Sequence, residues 1–362
     1  METFLRTLAR ERGACAALEP EFALCFGGRL KEELGAEGVS VHMLGGVRVS
    51  RPFSVWRARR ALAEVVGRGG FDVVVCNSAW AHSVFGPAVR AARVPLVLWL
   101  HDAPGSRHWL ERWARLTPPD LVVCNSHFSA ASARSLYPHA PVEVVYCPVS
   151  SRAAAVLSGG ERAAVRAALD TPADATVIVQ ASRMEPWKGH ALHLEALSLL
   201  RGTPGWVCWL VGGGQRPAEA AYLEGLRGLA GRLGVADRVR FAGQREDVAR
   251  LLAAADIFCQ PNAGPEPFGV AFVEALLAGL PVVATDAGGA REIVDETCGA
   301  RVPPGDARAL AQTLRRLIEE PRLRARLGRA GPARARQLCD PARQLSLLRE
   351  TFERLARGRR AA

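Results

Sequence analysis

Three segments of the chain carry residue types and spacings that could hold an anionic, hydroxyl-rich ligand. In Ala181-Ser-Arg-Met-Glu-Pro-Trp-Lys-Gly-His190, Arg183 and Lys188 stand five residues apart just after a β-branched run. A guanidinium meets phosphate oxygens as a planar fork and an ammonium acts as a compact charge, so both can point at one diphosphate. Two of the 47 basic residues are lysine, Lys31 and Lys188, so lysine here departs from the chain's habit. Gly189 beside it permits close backbone approach. In Pro261-Asn-Ala-Gly-Pro-Glu-Pro-Phe-Gly-Val-Ala-Phe-Val-Glu-Ala275, Glu266 lies in a Pro and Gly loop and Glu274 in the helix that starts near Gly269. The two carboxylates could grip different parts of one elongated ligand, and the first-turn amides around Phe268, Gly269 and Val270 offer a positive end. In the third segment a strand runs into Gly288-Gly289 and then a helix. Taken singly, each feature has a plainer explanation: solvated surface cations, a dipole-facing glutamate, a tight turn. The run Gly212-Gly213-Gly214 lacks G-x-G-x-x-G spacing and reads as a turn.

The elements that must position these residues alternate strand and helix throughout. Twelve short strand-like runs are separated by helix-length amphipathic segments, the mark of βα units and a mostly parallel sheet. Expected strands are 22–26, 39–44, 71–76, 95–101, 120–124 and 142–147 in the first half. Those of the second are 175–181, 206–211, 238–242, 256–260, 281–285 and 300–302. Residues 148–160 have little apolar pattern and read as the linker. The expected domains are 1–150, 151–340 and a last helix over 341–362. Asp72-Val-Val-Val-Cys-Asn-Ser78 and Asp120-Leu-Val-Val-Cys-Asn-Ser126 each end a strand with a helix cap. Loops after Cys76, His101 and Cys124 should face a common cleft, since ligands of open α/β sheets bind at the carboxyl ends of strands.

Composition narrows the class. At 362 residues with 49% hydrophobic content, two globular domains are expected and wholesale disorder is excluded. No long uncharged apolar run and no secretory pattern is present, which points to a cytoplasmic protein. The nine cysteines form no C-x-x-C pair and several sit in apolar runs, as buried reduced thiols do. The formal charge of +11 is spread along the chain, +4 over residues 1–150 and +7 over the rest, with its densest stretch at Arg322 to Arg336. That pattern suits solvated helix faces more than a nucleic-acid groove, and keeps open peripheral contact with the inner, anionic face of a membrane.

Together, Arg183-x(4)-Lys188-Gly189, Gly212-Gly213, Glu266-x(7)-Glu274 with Phe268-Gly269, Gly279-x-Pro281 and Gly289-x-x-Glu292 resemble the retaining glycosyltransferases of family 4. The resemblance is close over residues 170–345 and loose over the first 150. It implies the GT-B fold, two Rossmann-like domains facing across a cleft, with a nucleotide-sugar donor on the C-terminal domain and a glycan, lipid or small-molecule acceptor on the N-terminal one. By motif position, Arg183 and Lys188 would hold the diphosphate, Glu266 the sugar hydroxyls and Glu274 the ribose. Gly213, Phe268, Gly269 and Val270 would complete the donor site. His101 matches the family's cleft histidine, with Asp102 and Ser126 beside it on the acceptor side. The reaction would retain anomeric configuration and need no cofactor. The chain has no D-x-D, so no metal is expected on the leaving diphosphate and organic cations must supply the charge.

One departure stands out. Residues 1–11 read as the helix that normally follows the family's first strand, with Phe4, Leu5 and Leu8 on one face. The first strand is then missing from the N-terminal domain, and a start site upstream is expected. Rival readings are a nucleotide-sugar-binding protein without transfer activity, an epimerase of the same fold, and a charge-driven nucleic-acid or membrane-surface binder.

Overall fold

The computed structural model describes residues 2–105, 108–151 and 154–360; the linker positions 152 and 153 and the last two residues of the expected final helix lie outside them. The chain forms two compact units, residues 1–150 with 339–362, and residues 151–338.

Unit 1 begins with α1 (Glu2–Arg10) and continues as β1 (Phe22–Leu24), α2 (Arg29–Ala36), β2 (Val41–Met43), α3 (Pro52–Gly69), β3 (Val74–Cys76), α4 (Ala79–Ala91), β4 (Leu96–Leu100), α5 (Trp109–Ala114), β5 (Leu121–Cys124), α6 (His127–Leu136) and β6 (Val142–Val144). Every strand pairs in parallel, but the strands fall into two sheets, β1-β2 and β3-β4-β5-β6. β4 is an unbroken apolar run buried on both faces, as a central parallel strand must be. α1 lays Phe4, Leu5 and Leu8 inward, and the Phe4 ring packs 4.5 Å from that of Trp99 on β4.

Unit 2 follows as α7 (Gly159–Ala167), β7 (Thr176–Ala181), α8 (His190–Ser198), β8 (Trp206–Val211), α9 (Pro217–Arg232), β9 (Val239–Gly243), α10 (Val248–Ala254), β10 (Ile257–Gln260), α11 (Val270–Leu277), β11 (Val282–Thr285), α12 (Ala290–Ile293), β12 (Gly299–Val302), α13 (Ala307–Glu319) and α14 (Pro321–Cys339). Its six strands make one parallel sheet in the order β12-β11-β10-β7-β8-β9. The chain winds outward from β7 to β9, then returns to the other side at β10, so the topological switch point lies between β7 and β10. Side chains such as Ile178, Cys208, Leu210, Ile257 and Val283 form the core with Leu194, Leu197 and Leu314 of the flanking helices.

α15 (Pro341–Arg360) belongs to unit 1. The amide of Val149 donates to the carbonyl of Cys339 at 2.9 Å, and Arg354 pairs with Glu143 of β6 at 3.2 Å. All twelve expected strands form, each shorter than or within a residue of its apolar run, because turn residues take the ends. The nine cysteines are free thiols and eight of them are buried. Among the described residues no helix is long and apolar enough to cross a membrane.

Candidate active site

The densest set of functional side chains in unit 2 sits at the carboxyl ends of β7 and β10, at the switch point. Both strands are apolar until their last turn, where Gln180 and Gln260 interrupt the pattern; both amides are buried. Gln180 Nε2 donates to the Lys188 carbonyl at 2.8 Å, and its Oε1 lies 2.8 Å from Nδ1 of buried His193. The loop after β7 is fastened to the loop after β10, since the Ala263 amide donates to the Trp187 carbonyl at 2.8 Å. Gly189 makes this possible. Its φ is +75°, and a Cβ there would lie 1.8 Å from the Pro261 carbonyl oxygen, so no other residue fits.

These loops bring Lys188 to Glu266 across 78 positions of sequence: Nζ to Oε2 is 2.7 Å, with both side chains about 12–13% exposed. The same oxygen accepts from Asn262 Nδ2 at 2.8 Å and from Gln260 Nε2 at 3.4 Å. Three donors on Oε2 fix the carboxylate in one orientation. The ammonium also lies 3.9 Å from the centre of the Trp187 ring, whose Nε1 donates to Glu185. Arg183 reaches out to Glu185 at 3.0 Å with its side chain 61% exposed. In this structure Arg183 and Lys188 are each paired with a glutamate, and the lysine lies deeper.

Gly288 and Gly289 do something other than expected. Gly288 bridges Glu266 as in a parallel ladder, and the Gly289 amide donates to the Glu266 carbonyl at 2.7 Å. A Cβ at 288 would meet that carbonyl at 2.2 Å, and one at 289 would meet Phe268 at 2.4 Å. The pair thus admits the backbone of the Glu266 loop where a ligand was expected. Gly212 abuts the Ser182 carbonyl in the same manner, and Gly213 faces Gln244. Gly269, with φ +107°, is the N-cap of α11, so Val270 opens the helix and Phe268 is buried beneath it. Glu274 sits one turn into α11, half-buried. Arg183, Lys188, Gly213, Glu266, Phe268, Gly269, Val270 and Glu274 all belong to unit 2.

His101 belongs to unit 1, at the end of β4. Its ring stacks on Trp99 with 5.8 Å between centroids and lies 5.0 Å from Phe4. Burial pulls its pKa down to about 3, so it is neutral at pH 7. The two asparagines of the repeated strand-end motif hold it: Asn77 Oδ1 lies 3.4 Å from Nε2, and Asn125 Nδ2 donates to its carbonyl at 3.2 Å. Asp102 follows as an exposed residue. Ser126 is fully buried and caps α6 as the strand-end motif predicts, accepting from the Ser129 amide at 2.9 Å.

Gln180, Glu185, Trp187, Gln260 and Asn262 were not singled out from sequence. A polar amide closing an otherwise apolar strand is the signal that marks Gln180 and Gln260; Asn262 stood unweighed inside the quoted glutamate segment.

The family model Glycosyltransferase Family 4 matches residues 1–152, and Glycosyl transferases group 1 matches residues 161–334. LpsD of Rhizobium meliloti, a lipopolysaccharide core biosynthesis glycosyltransferase, is 32% identical over 286 residues, 79% of this chain and 75% of LpsD. LpsE of the same organism is 37% identical over 167 residues, a match that spans 46% of the chain and about half, 46%, of LpsE itself. Anabaena HepE, solved in complex with UDP-glucose, superposes with a TM-score of 0.83 at 28% identity, covering 97% of this chain and 95% of HepE. Two Rossmann-like parallel α/β units of the GT-B type, an alignment spanning three quarters of LpsD and two family models lying end to end along the sequence place the chain in the group 1, family 4 glycosyltransferases.

Proposed function

We propose that the protein transfers a hexosyl group from a nucleoside-diphosphate sugar to a hydroxyl of a glycan or lipid acceptor, retaining anomeric configuration without a metal ion. The observation that carries this reading is the Lys188 ammonium, desolvated and fixed against Glu266 at the switch point beside the N-terminus of α11. Such a place suits an anion, because helix amides and a fixed cation are worth most where water is scarce.

As the bond between the anomeric carbon and the diphosphate breaks, negative charge grows on the departing phosphate oxygen. Lys188, Arg183 and the first amides of α11 are the groups that would take up that charge, which is why no metal is invoked. Glu266, clamped through Oε2, is set to accept hydrogen bonds from sugar hydroxyls with its other oxygen, and Glu274 to accept from the ribose. The acceptor hydroxyl passes its proton to the departing phosphate oxygen as its own oxygen bonds to the anomeric carbon, which balances the transfer. Likeness to the family is what supports retention and a catalytic role for neutral His101. That HepE binds UDP and UDP-glucose, and that LpsD and LpsE act in lipopolysaccharide core biosynthesis, supports a nucleotide sugar and a glycolipid-type acceptor.

Thermal-shift titration with UDP-, GDP- and ADP-sugars, followed by transfer assays with and without EDTA, tests the reading. One donor should raise Tm, since a ligand of the folded state stabilises it. Turnover should survive chelation. A donor shift with neither transfer nor hydrolysis would leave a binding protein; activity abolished by EDTA would remove the cation-only account.

A further inference from the structure

α8 buries a histidine where an apolar residue would pack. His193 is fully buried, beside Leu194 and Leu197 of the unit 2 core. Its Nε2 meets no partner among the described residues. An unpaired polar atom inside a core is a net cost, so the other ring nitrogen has to account for the residue.

That nitrogen, Nδ1, lies 2.8 Å from Oε1 of Gln180, which is itself fully buried. Gln180 Nε2 donates in turn to the Lys188 carbonyl at 2.8 Å. A carbonyl oxygen can only accept, so Gln180 must give it the amide nitrogen, and the amide oxygen is then committed to His193. The histidine must therefore be a donor, neutral with its proton on Nδ1. Burial, which lowers its pKa to about 3, keeps it neutral at pH 7. The sense of this chain matters. A glutamine amide has nearly the same shape when turned over, and turned over it would set Oε1 against the Lys188 carbonyl, oxygen against oxygen. His193 opposes that state, because its N–H would then face an NH2 group. The carbonyl so fixed lies between the single turn Pro186–Lys188 and the left-handed Gly189, and its orientation sets where the lysine side chain starts. Glu266 has its own clamp in Gln260 and Asn262, so the chain from His193 serves the lysine side of the pair.

We infer that His193 is a positioning residue for Lys188, acting through Gln180 to hold the ammonium where charge grows on the departing diphosphate. The last step of this inference rests on the donor reading above; the hydrogen-bonded chain does not. An ammonium that matters most as the bond breaks should, when displaced, lower kcat more than it raises KM.

His193→Leu and His193→Asn in the full chain test it. Leucine removes the donor and suits the apolar surroundings, whereas asparagine returns an N–H near the place of Nδ1. Both keep the main-chain bond from the amide at 193 to the Gly189 carbonyl. Steady-state kinetics with the nucleotide sugar that raises the parent's Tm should show kcat about tenfold lower in His193→Leu and donor KM within about twofold of the parent. His193→Asn should recover most of the lost kcat. In a Lys188→Ala background, His193→Leu should cost nothing further, since a residue acting through Lys188 has nothing left to position. Full kcat in His193→Leu, a loss that His193→Asn does not restore, or an equal loss in the Lys188→Ala background overturns the inference. Hydrogen exchange gives a reading that needs no donor. The Lys188 and Gly189 amides, bonded to the carbonyls of Glu185 at 2.9 Å and Pro186 at 3.1 Å, should exchange faster in His193→Leu and return to the parent rate in His193→Asn. Exchange unchanged by His193→Leu also overturns it. A parent that turns over no nucleotide sugar, with exchange following this pattern, supports the chain from His193 and removes the transfer reading instead. Should Tm show that His193→Leu does not fold, Gln180→Met cuts the same chain at its middle and carries the same expected losses and the same refutations.

Discussion

The two units run the same βα programme, yet only one closes its sheet. Unit 2 orders its six strands outward from a central first strand, β7, with β8 and β10 on either side. In unit 1, β1 and β3 lie in separate sheets, β1-β2 and β3-β4-β5-β6. A two-stranded sheet is marginal by itself, so β1-β2 must lean on helices for its stability. Catalytic-type side chains gather where the sheet is continuous: the switch point of unit 2 carries the Lys188 and Glu266 pair on two adjacent strand ends. The corresponding region of unit 1 falls at the break, where the Phe4 ring of α1 packs against Trp99 and His101.

Both units also fasten their sheets with one electrostatic device. An aspartate just ahead of a strand takes the amide of the neighbouring strand and an arginine of the preceding helix. In unit 2, Asp256 Oδ2 accepts from the Val177 amide at 2.7 Å and from Arg166 at 2.6 Å, while Oδ1 pairs with Arg162 at 2.7 Å. In unit 1, Asp120 accepts from the Leu96 amide at 2.8 Å and from Arg90 at 2.7 Å. The difference is one arginine, and Arg166 is nearly buried where Arg90 is not. Asp256→Ala should therefore cost about 3–5 kcal/mol, the loss for stripping a partner from a buried pair. Asp120→Ala should cost nearer 2 kcal/mol, within the range for leaving a buried donor unmet. Chemical denaturation followed by hydrogen exchange of each unit's peptides measures both. Equal costs would break the comparison.

The next test asks whether chemistry resides in the closed unit. Lys188→Ala should lower kcat by about 10²–10³, the usual loss of one charge-stabilising donor. Steady-state kinetics at saturating donor reads this out, with Tm as the control. Normal turnover would remove Lys188 from the site.

Acid exposure, by contrast, should weaken the two units alike. Burial lowers His190 to about 4 and His193 to about 3 in unit 2, with the Lys188 charge adding to the effect at His190. In unit 1 it lowers His82 to about 4 on α4, with His101 at about 3 beside the break. The unfolded chain protonates near 6.5, so between that value and 3–4 it binds protons the folded chain refuses. Their contribution is complete above about pH 6.5 and is lost as pH falls toward 4 and then 3. Unit-resolved exchange between pH 7 and 4 should show both units weakening along this course, and His193→Gln should flatten the slope of unit 2 alone. A slope unchanged by that substitution would mean the histidine is not what titrates.

Most of the scaffold was legible because a parallel strand buried on both faces writes itself as an apolar run, as in Trp206–Val211, and because turn glycines punctuate such runs. Site contacts were less so. Lys188 and Glu266 are 78 positions apart, and nothing local announces that they pair. Gly288 and Gly289 looked like ligand-facing turns, since sequence shows the missing side chain but not whose backbone uses the space.

The smallest expected effect compares the repeated strand-end motif at its two positions in unit 1, one next to the break and one inside the four-stranded sheet. Ser78 caps α4 by accepting from the Ala81 amide at 3.1 Å and is half-buried. Ser126 caps α6 from full burial and also donates to Ser129 Oγ at 3.0 Å. Loss of a cap costs about 0.5–2 kcal/mol, and the buried hydroxyl belongs at the upper end because its partners would be left without water. Ser126→Ala should therefore destabilise by about 2 kcal/mol and Ser78→Ala by about 0.5–1 kcal/mol. The same variants report on His101, held by the asparagine that precedes each cap. Loosening α6 should free its backbone and loosening α4 its ring, so hydrogen exchange around His101 should rise in both variants. Were Ser78→Ala the costlier change, the edge beside the break would be the tighter of the two, and the contrast between an open and a closed sheet would have to be redrawn.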